Sequence, residues 1–109
     1  MGQFVVGQVI SSHFPFSDLT AQKRRPAVVV AVVDFDDLIL CQITSKPYSS
    51  NRAIELTSPD FKTGGLPRDS YIRPDKLFTA DKSVISKEHG LLSEAKLRSL
   101  KQALQELFV

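Results

Sequence analysis

Lys23, Arg24 and Arg25 run together and stop at Pro26, and Thr44, Ser45 and Lys46 follow once a second apolar run has ended. These residue types suit the holding of a phosphate. A guanidinium presents N–H donors in a planar fork that grips phosphate oxygens bidentately. A hydroxyl can donate to the same oxygens or orient an attacking group. Lys23, Lys46 and Arg52 would add attraction for a phosphate backbone that is blind to sequence. The same pattern also allows a plainer reading, in which Arg25 pairs with a carboxylate such as Asp18 or Asp69 and Thr44 simply ends a strand.

Such residues do chemistry only if the chain brings them together. Ala27–Val33 is a continuous β-branched run, the pattern of a strand buried on both faces. Asp34–Asp37 reads as a turn and Leu38–Thr44 as the returning strand. Pro26, with fixed φ and no N–H, suits a strand start and pushes Arg25 into an extended conformation. With the turn centred near Asp36, Arg25 faces a position near 47 and Thr44 one near 28. Their backbones then lie about 10 Å apart, with Asp34, Asp36 and Asp37 about 25 Å away at the other end. The hairpin is expected to have a basic, hydroxyl-bearing pole and an acidic one.

The rest of the chain reads as one domain over residues 1–109. Val5–His13 is strand-like, Phe14–Arg25 a loop, and Ala53–Leu56, Ser70–Arg73 and Leu77–Ala80 short strand candidates. Leu97, Leu100, Leu104, Leu107 and Phe108 then form a helical stripe, with Ser93 as N-cap and Glu94 in the first turn. Short strands followed by one amphipathic helix imply a mainly β fold, a small antiparallel barrel or half-barrel with a C-terminal α-helix packed on it. His89 beside Gly90 reads as a solvated turn residue, and His13 as a strand-end residue that can line a site.

Composition narrows the class. The net charge of +2 does not announce nucleic acid by itself. The sole cysteine, Cys41, excludes an internal disulfide and suits a reducing compartment. No apolar run is long enough for a bilayer, and the start lacks a secretion-signal pattern. Gly2 leads into strand-like sequence, which argues against myristoylation. The expectation is a cytoplasmic protein with no membrane association. No His, Cys or carboxylate grouping has metal-ligand spacing, so no cofactor is expected.

"FPFSDLTAQKRRPAVVV", "LILCQITSK" and "GGLPRDSYI", in that order and spacing, resemble the PemK/MazF family of toxin endoribonucleases over nearly the whole chain. The resemblance implies an SH3-like, CcdB/PemK-type small barrel, usually a homodimer, and the toxin of a type II toxin–antitoxin pair. It implies cleavage of single-stranded mRNA by attack of the 2′-OH on the adjacent phosphorus, and inhibition by a cognate antitoxin. Arg25 matches the family's arginine before proline, Thr44 its catalytic Thr/Ser, and Ser70 a polar position after the long loop. Lys23, Arg24, Lys46 and Arg52 would then contact RNA, with Phe16 and Tyr48 among the aromatics open to base stacking. The Phe14–Arg25 loop is shorter than in several members, and Arg24 competes with Arg25 for the phosphate. Two other readings of the same fold stand beside this one: a non-catalytic RNA-binding barrel, and a toxin aimed at DNA gyrase.

Overall fold

The computed structural model describes residues 3–13, 24–47 and 50–109, with only the backbone of His13. Lys23, Phe14, Phe16 and Tyr48 lie outside the described residues. The strands are β1 (Gln8–His13), β2 (Arg24–Val32), β3 (Asp37–Thr44), β4 (Ile54–Leu56), β5 (Phe61–Gly64), β6 (Ser70–Asp81) and β7 (Ile85–Leu92). Helix α1 follows over Glu94–Leu107. The strands make one seven-stranded sheet in the order β4-β6-β3-β2-β1-β7-β5, with every pair antiparallel. The sheet curls into a half-barrel, as expected of a mainly β chain with a C-terminal helix.

Both faces of the central strands are buried. Ile10, Ala27, Val29, Leu38 and Leu40 pack on one face with Phe4 and Ile85. Val9, Val28, Cys41, Ile43, Ile72 and Leu92 pack on the other, where Leu97, Leu100 and Leu104 of α1 close the cluster. Side chains alternate along a strand, so a strand covered on both faces must be apolar throughout. That is why β3 reads Leu-Ile-Leu-Cys. Each fully buried Leu, Ile or Val contributes about 1.5–3 kcal/mol, so the two clusters fix the curl of the sheet.

The helix begins where its sequence says. Ser93 Oγ accepts a hydrogen bond from Lys96 N at 3.1 Å, and Glu94 sits at the positive end of the helix. Its stripe is core only as far as Leu104. Phe108 caps the C-terminus and is 74% exposed, a departure from the periodic reading.

The sheet differs from expectation in four places. Burial of β2 on both faces holds for Ala27–Val29 and then fails, since Val32 and Val33 are 53% and 40% exposed. The candidates at Ser70–Arg73 and Leu77–Ala80 are one strand, β6, interrupted where Pro74, Asp75 and Lys76 bulge out. Residues 85–92, read as including a turn, form β7; its register against β1 shifts twice, and that irregularity hides the alternation. β5 was not anticipated. It pairs with β7 through Gly64 opposite Gly90, where a Cβ on Gly90 would lie 2.3 Å from the Thr63 carbonyl oxygen. Only glycine permits that approach.

Candidate active site

The β2–β3 register builds the site. The paired register ends with Val28 on Cys41 and Ala27 on Gln42; continued two steps outward it sets Arg25 across from Thr44, and both residues line one cavity. This corrects the expected pairing of Arg25 with a position near 47. Two causes account for it. The turn falls earlier, with Phe35 and Asp36 both at positive φ, and β2 carries an extra bulged residue between Val29 and Ala31. Directly opposed residues have Cα atoms about 4.5–5.5 Å apart, half the expected separation.

Register carries the row further. Ser12 pairs with Arg25 on β1, and Tyr71 pairs with Thr44 on β6. Cross-strand partners share a face, so Ser12, Arg25, Thr44 and Tyr71 form a polar row across four strands. Pro26 keeps Arg25 extended at the rim. Thr44 Oγ1 accepts a hydrogen bond from Lys46 N at 3.1 Å. With that lone pair engaged, the hydroxyl hydrogen remains to donate outward.

Arg24, Arg25 and Arg68 converge on a cavity of about 210 Å³ that Thr44, Leu66 and Pro67 also line. Among the described residues lining it there is no carboxylate or imidazole. None of the three guanidiniums forms an ion pair among the described residues. Asp69, a carboxylate that the sequence offered to Arg25, is exposed and unpaired with it; Asp18 lies outside the described residues. Three cations without an ion pair among the described residues, around one small cavity, make a strong local field for an anion.

The remaining candidates distribute unevenly. Ser70 borders the cavity but is 4% exposed, and its side chain alternates with Tyr71 onto the helix-covered face. Its Oγ donates to the Arg68 carbonyl at 3.1 Å, which ties down the loop carrying that arginine. Lys46 is exposed just past Thr44. Arg52 is exposed beyond β3, its N–H held by Ser50 Oγ at 3.1 Å. Neither is among the residues lining the cavity. Lys23, Phe16 and Tyr48 lie outside the described residues. Arg68 is the residue that sequence reasoning missed; a cation at the end of a Gly- and Pro-rich loop, next to a candidate strand, was the available signal.

The other titratable groups stand apart from this cavity. Burial, with the Asp75 charge adding to it, pushes the Cys41 thiol up to about 12, so it is inert near neutral pH. His89 sits within β7 and is hydrogen-bonded to Ser11 Oγ, not solvated in a turn. Burial first, then Lys87, holds its pKa below the usual imidazole value. Among the described residues no group of His, Cys, Asp or Glu side chains is placed to hold a metal ion. Among the described residues no helix is long and apolar enough to cross a membrane.

The fold has close counterparts. A mycobacterial endoribonuclease, solved in complex with its cognate antitoxin, superposes with a TM-score of 0.75 at 16% identity, over 99% of this chain and 95% of that one. The Mycobacterium tuberculosis toxin MazF-mt6 gives 0.71 at 15% identity, covering 93% and 95%. MazF from Deinococcus radiodurans gives 0.70 at 17% identity, covering 94% of each chain. At such identities the likeness establishes the fold. No curated protein matches at the sequence level. The family assignment comes from the sequence pattern of the PemK-like, MazF-like toxins, which matches residues 6–108. The chain therefore belongs to the PemK-like, MazF-like toxins of type II toxin–antitoxin systems.

Proposed function

We propose that this protein is an endoribonuclease that cleaves single-stranded RNA without a metal ion, using the 2′-OH of the substrate as nucleophile. The observation that carries the reading is the facing pair Arg25 and Thr44, both with donors to spare, at the mouth of a cavity ringed by Arg24 and Arg68. The family and the endoribonucleases of the same fold support it.

In this mechanism O2′ attacks the adjacent phosphorus and the P–O5′ bond breaks. A 2′,3′-cyclic phosphate remains on one fragment and a 5′-OH on the other. With its pKa far above neutrality, Arg25 does not take the 2′-OH proton. Its fork instead stabilises charge building on the non-bridging oxygens, a contribution of about 3–4 kcal/mol for one well-placed donor. Thr44 donates to the same oxygens. No carboxylate or imidazole lines the cavity among the described residues, so the 2′-OH proton passes to water or a phosphate oxygen. Water returns a proton to O5′. Ser70 supports Arg68 through the loop carbonyl that it holds. Lys46 and Arg52 attract the flanking phosphates.

The same charges bear on partners. An acidic, partly apolar segment that orders on binding would meet Arg24, Arg25 and Arg68 as favourably as RNA does. The cognate antitoxin is expected to present such a segment, to exclude RNA from the cavity, and to associate more slowly as salt rises. The toxin itself is expected to be a cytoplasmic homodimer.

The test is to incubate purified protein with mixed-sequence single-stranded RNA in excess EDTA and to map the new ends. Cyclic phosphate and 5′-OH termini are the expected products. RNA bound but uncut would favour a binding module, and cutting that EDTA abolishes would remove the metal-free mechanism.

A further inference from the structure

Behind the polar row lies a second one with an unusual property. Ala27 pairs with Gln42, and Gln42 pairs with Arg73 on β6, so both polar side chains share the face of Arg25 and Thr44. Gln42 is 7% exposed, and its Oε1 is buried with no hydrogen-bond partner among the described residues. The Nε of Arg73, its opposite number, is also buried without a partner among the described residues. Buried polar atoms are nearly always paired in folded proteins, and an unpaired one calls for an explanation such as a bound group. Here an acceptor and a donor on cross-strand neighbours are both unmet among the described residues.

The arginine is not loose. Its Nη2 donates to Asp75 Oδ2 at 2.9 Å, and Ser50 Oγ donates to the same oxygen at 3.0 Å. The Arg73 hydrogen bond is the main influence that holds the Asp75 carboxyl below the usual range. Asp75 can reach back because β6 bulges out at Pro74, Asp75 and Lys76, next to the Gln42–Arg73 pair. Bulges of this kind are common beside active sites, where they re-aim a side chain. A proline, a bulge and an ion pair thus fix a guanidinium whose Nε–H has no partner among the described residues.

We propose that Gln42 and Arg73 form a base-reading subsite, which takes one nucleobase of the RNA next to the phosphate held by Arg25 and Thr44. The inference rests on the reading of the cavity as an RNA site. A base edge sets an N–H donor beside an acceptor; Gln42 Oε1 meets the first and Arg73 Nε–H the second. The Gln42 amide turns about a soft terminal torsion, and the Arg73 side chain keeps 23% of its surface open. Hydrogen bonds to base edges read sequence, whereas contacts to phosphate only position the strand.

The test uses two variants and one RNA pool, randomised at the positions around a fixed cut. Gln42→Met keeps the side chain's shape and removes both amide groups; Arg73→Lys keeps a cation for Asp75 and removes Nε–H. For each protein the readout is the ratio of cleavage between the favoured base and the others, position by position, together with the melting temperature. The wild type should show a preference at one position adjoining the cut, and both variants should lower it roughly tenfold at that position. Gln42→Met should melt no lower than the wild type, because it removes an unpaired buried oxygen and no hydrogen bond. Preference unchanged in both variants would overturn the subsite. So would loss spread evenly over all positions, or a fall in melting temperature with preference intact, which would mark Gln42 as structural. If the wild type binds the pool without cutting it, the nuclease reading fails by itself. The same ratios are then taken from the bound fraction, with the same outcomes supporting or overturning the subsite.

Discussion

The two ends of the β2–β3 hairpin are made of the same two strands and could hardly differ more. At the open end Arg24 and Arg25 stand beside Thr44 without carboxylate partners among the described residues, and register holds the chain in an ordinary extended conformation. At the closed end Asp34, Asp36 and Asp37 crowd a turn in which Phe35 and Asp36 adopt positive φ, and Lys82 bonds Asp36 at 3.0 Å. Phe35 is 95% exposed there. The closed end stores its cost in backbone strain, about 1–2 kcal/mol for a residue such as Phe in the left-handed region. The open end stores it in unneutralised charge and, one row inward, in unpaired polar atoms. A strained turn closes a hairpin. Unmet charge and unmet donors are useful once a ligand supplies the missing partner.

That comparison can be broken most severely at Arg25. Arg25→Ala should lower the cleavage rate by about 100-fold or more, with much less loss of RNA affinity, because its contact strengthens as charge builds on the phosphate. Equal loss in rate and binding would reduce Arg25 to a docking contact. Thr44→Val should cost less, about tenfold in rate, and Thr44→Ser should recover most of it, since only the hydroxyl is required. A serine variant as slow as the valine one would shift the role of Thr44 from donor to packing.

Arg24→Ala and Arg68→Ala should act on binding. Each is expected to weaken RNA evenly across sequences and to reduce the slope of log affinity against log salt by about one. A rate effect from Arg24 as large as that from Arg25 would reverse their assignment. At the closed end Phe35→Asn should stabilise the fold by about 0.5–1 kcal/mol, since asparagine tolerates positive φ, and leave cleavage unchanged. Loss of stability would mean that Phe35 packs in spite of its exposure.

The smallest effect lies away from both ends, at His89. Its pKa in the fold is lowered from 6.5, so the unfolded chain binds the proton more readily. The contribution of neutral His89 is therefore complete above about pH 6.5 and is lost as pH falls through the folded value. His89→Gln should flatten the decline in melting temperature between about pH 7 and pH 5. An unchanged slope would show that other groups carry it.

What the sequence revealed was what lies close along the chain. The hairpin, the helix and the Ser93 cap are local patterns of period and capping, and Arg25 with Thr44 belongs to one hairpin. The exact register was hidden because a bulge in β2 leaves no mark in an unbroken Val-Val-Val run. β7 was hidden because Lys87 and Glu88 point outward from an irregular strand without alternation. Arg68 and Arg73 come beside the hairpin only through the pairing of β3 with β6, a contact between distant segments that no local pattern encodes. Family resemblance supplied Arg25 and Thr44 with a role, while the second row became visible only through burial and missing partners.

The central claim is that the nucleophile belongs to the RNA and the protein supplies the field around the phosphate. It is tested most directly with a short RNA that carries hydrogen in place of the 2′-OH at the mapped cut and is otherwise unchanged. The account predicts that this strand binds as before and is not cut at that linkage, while the all-ribose strand is cut beside it in EDTA. Cleavage of the substituted linkage at a comparable rate would contradict it, because a nucleophile from water or the protein would then be at work.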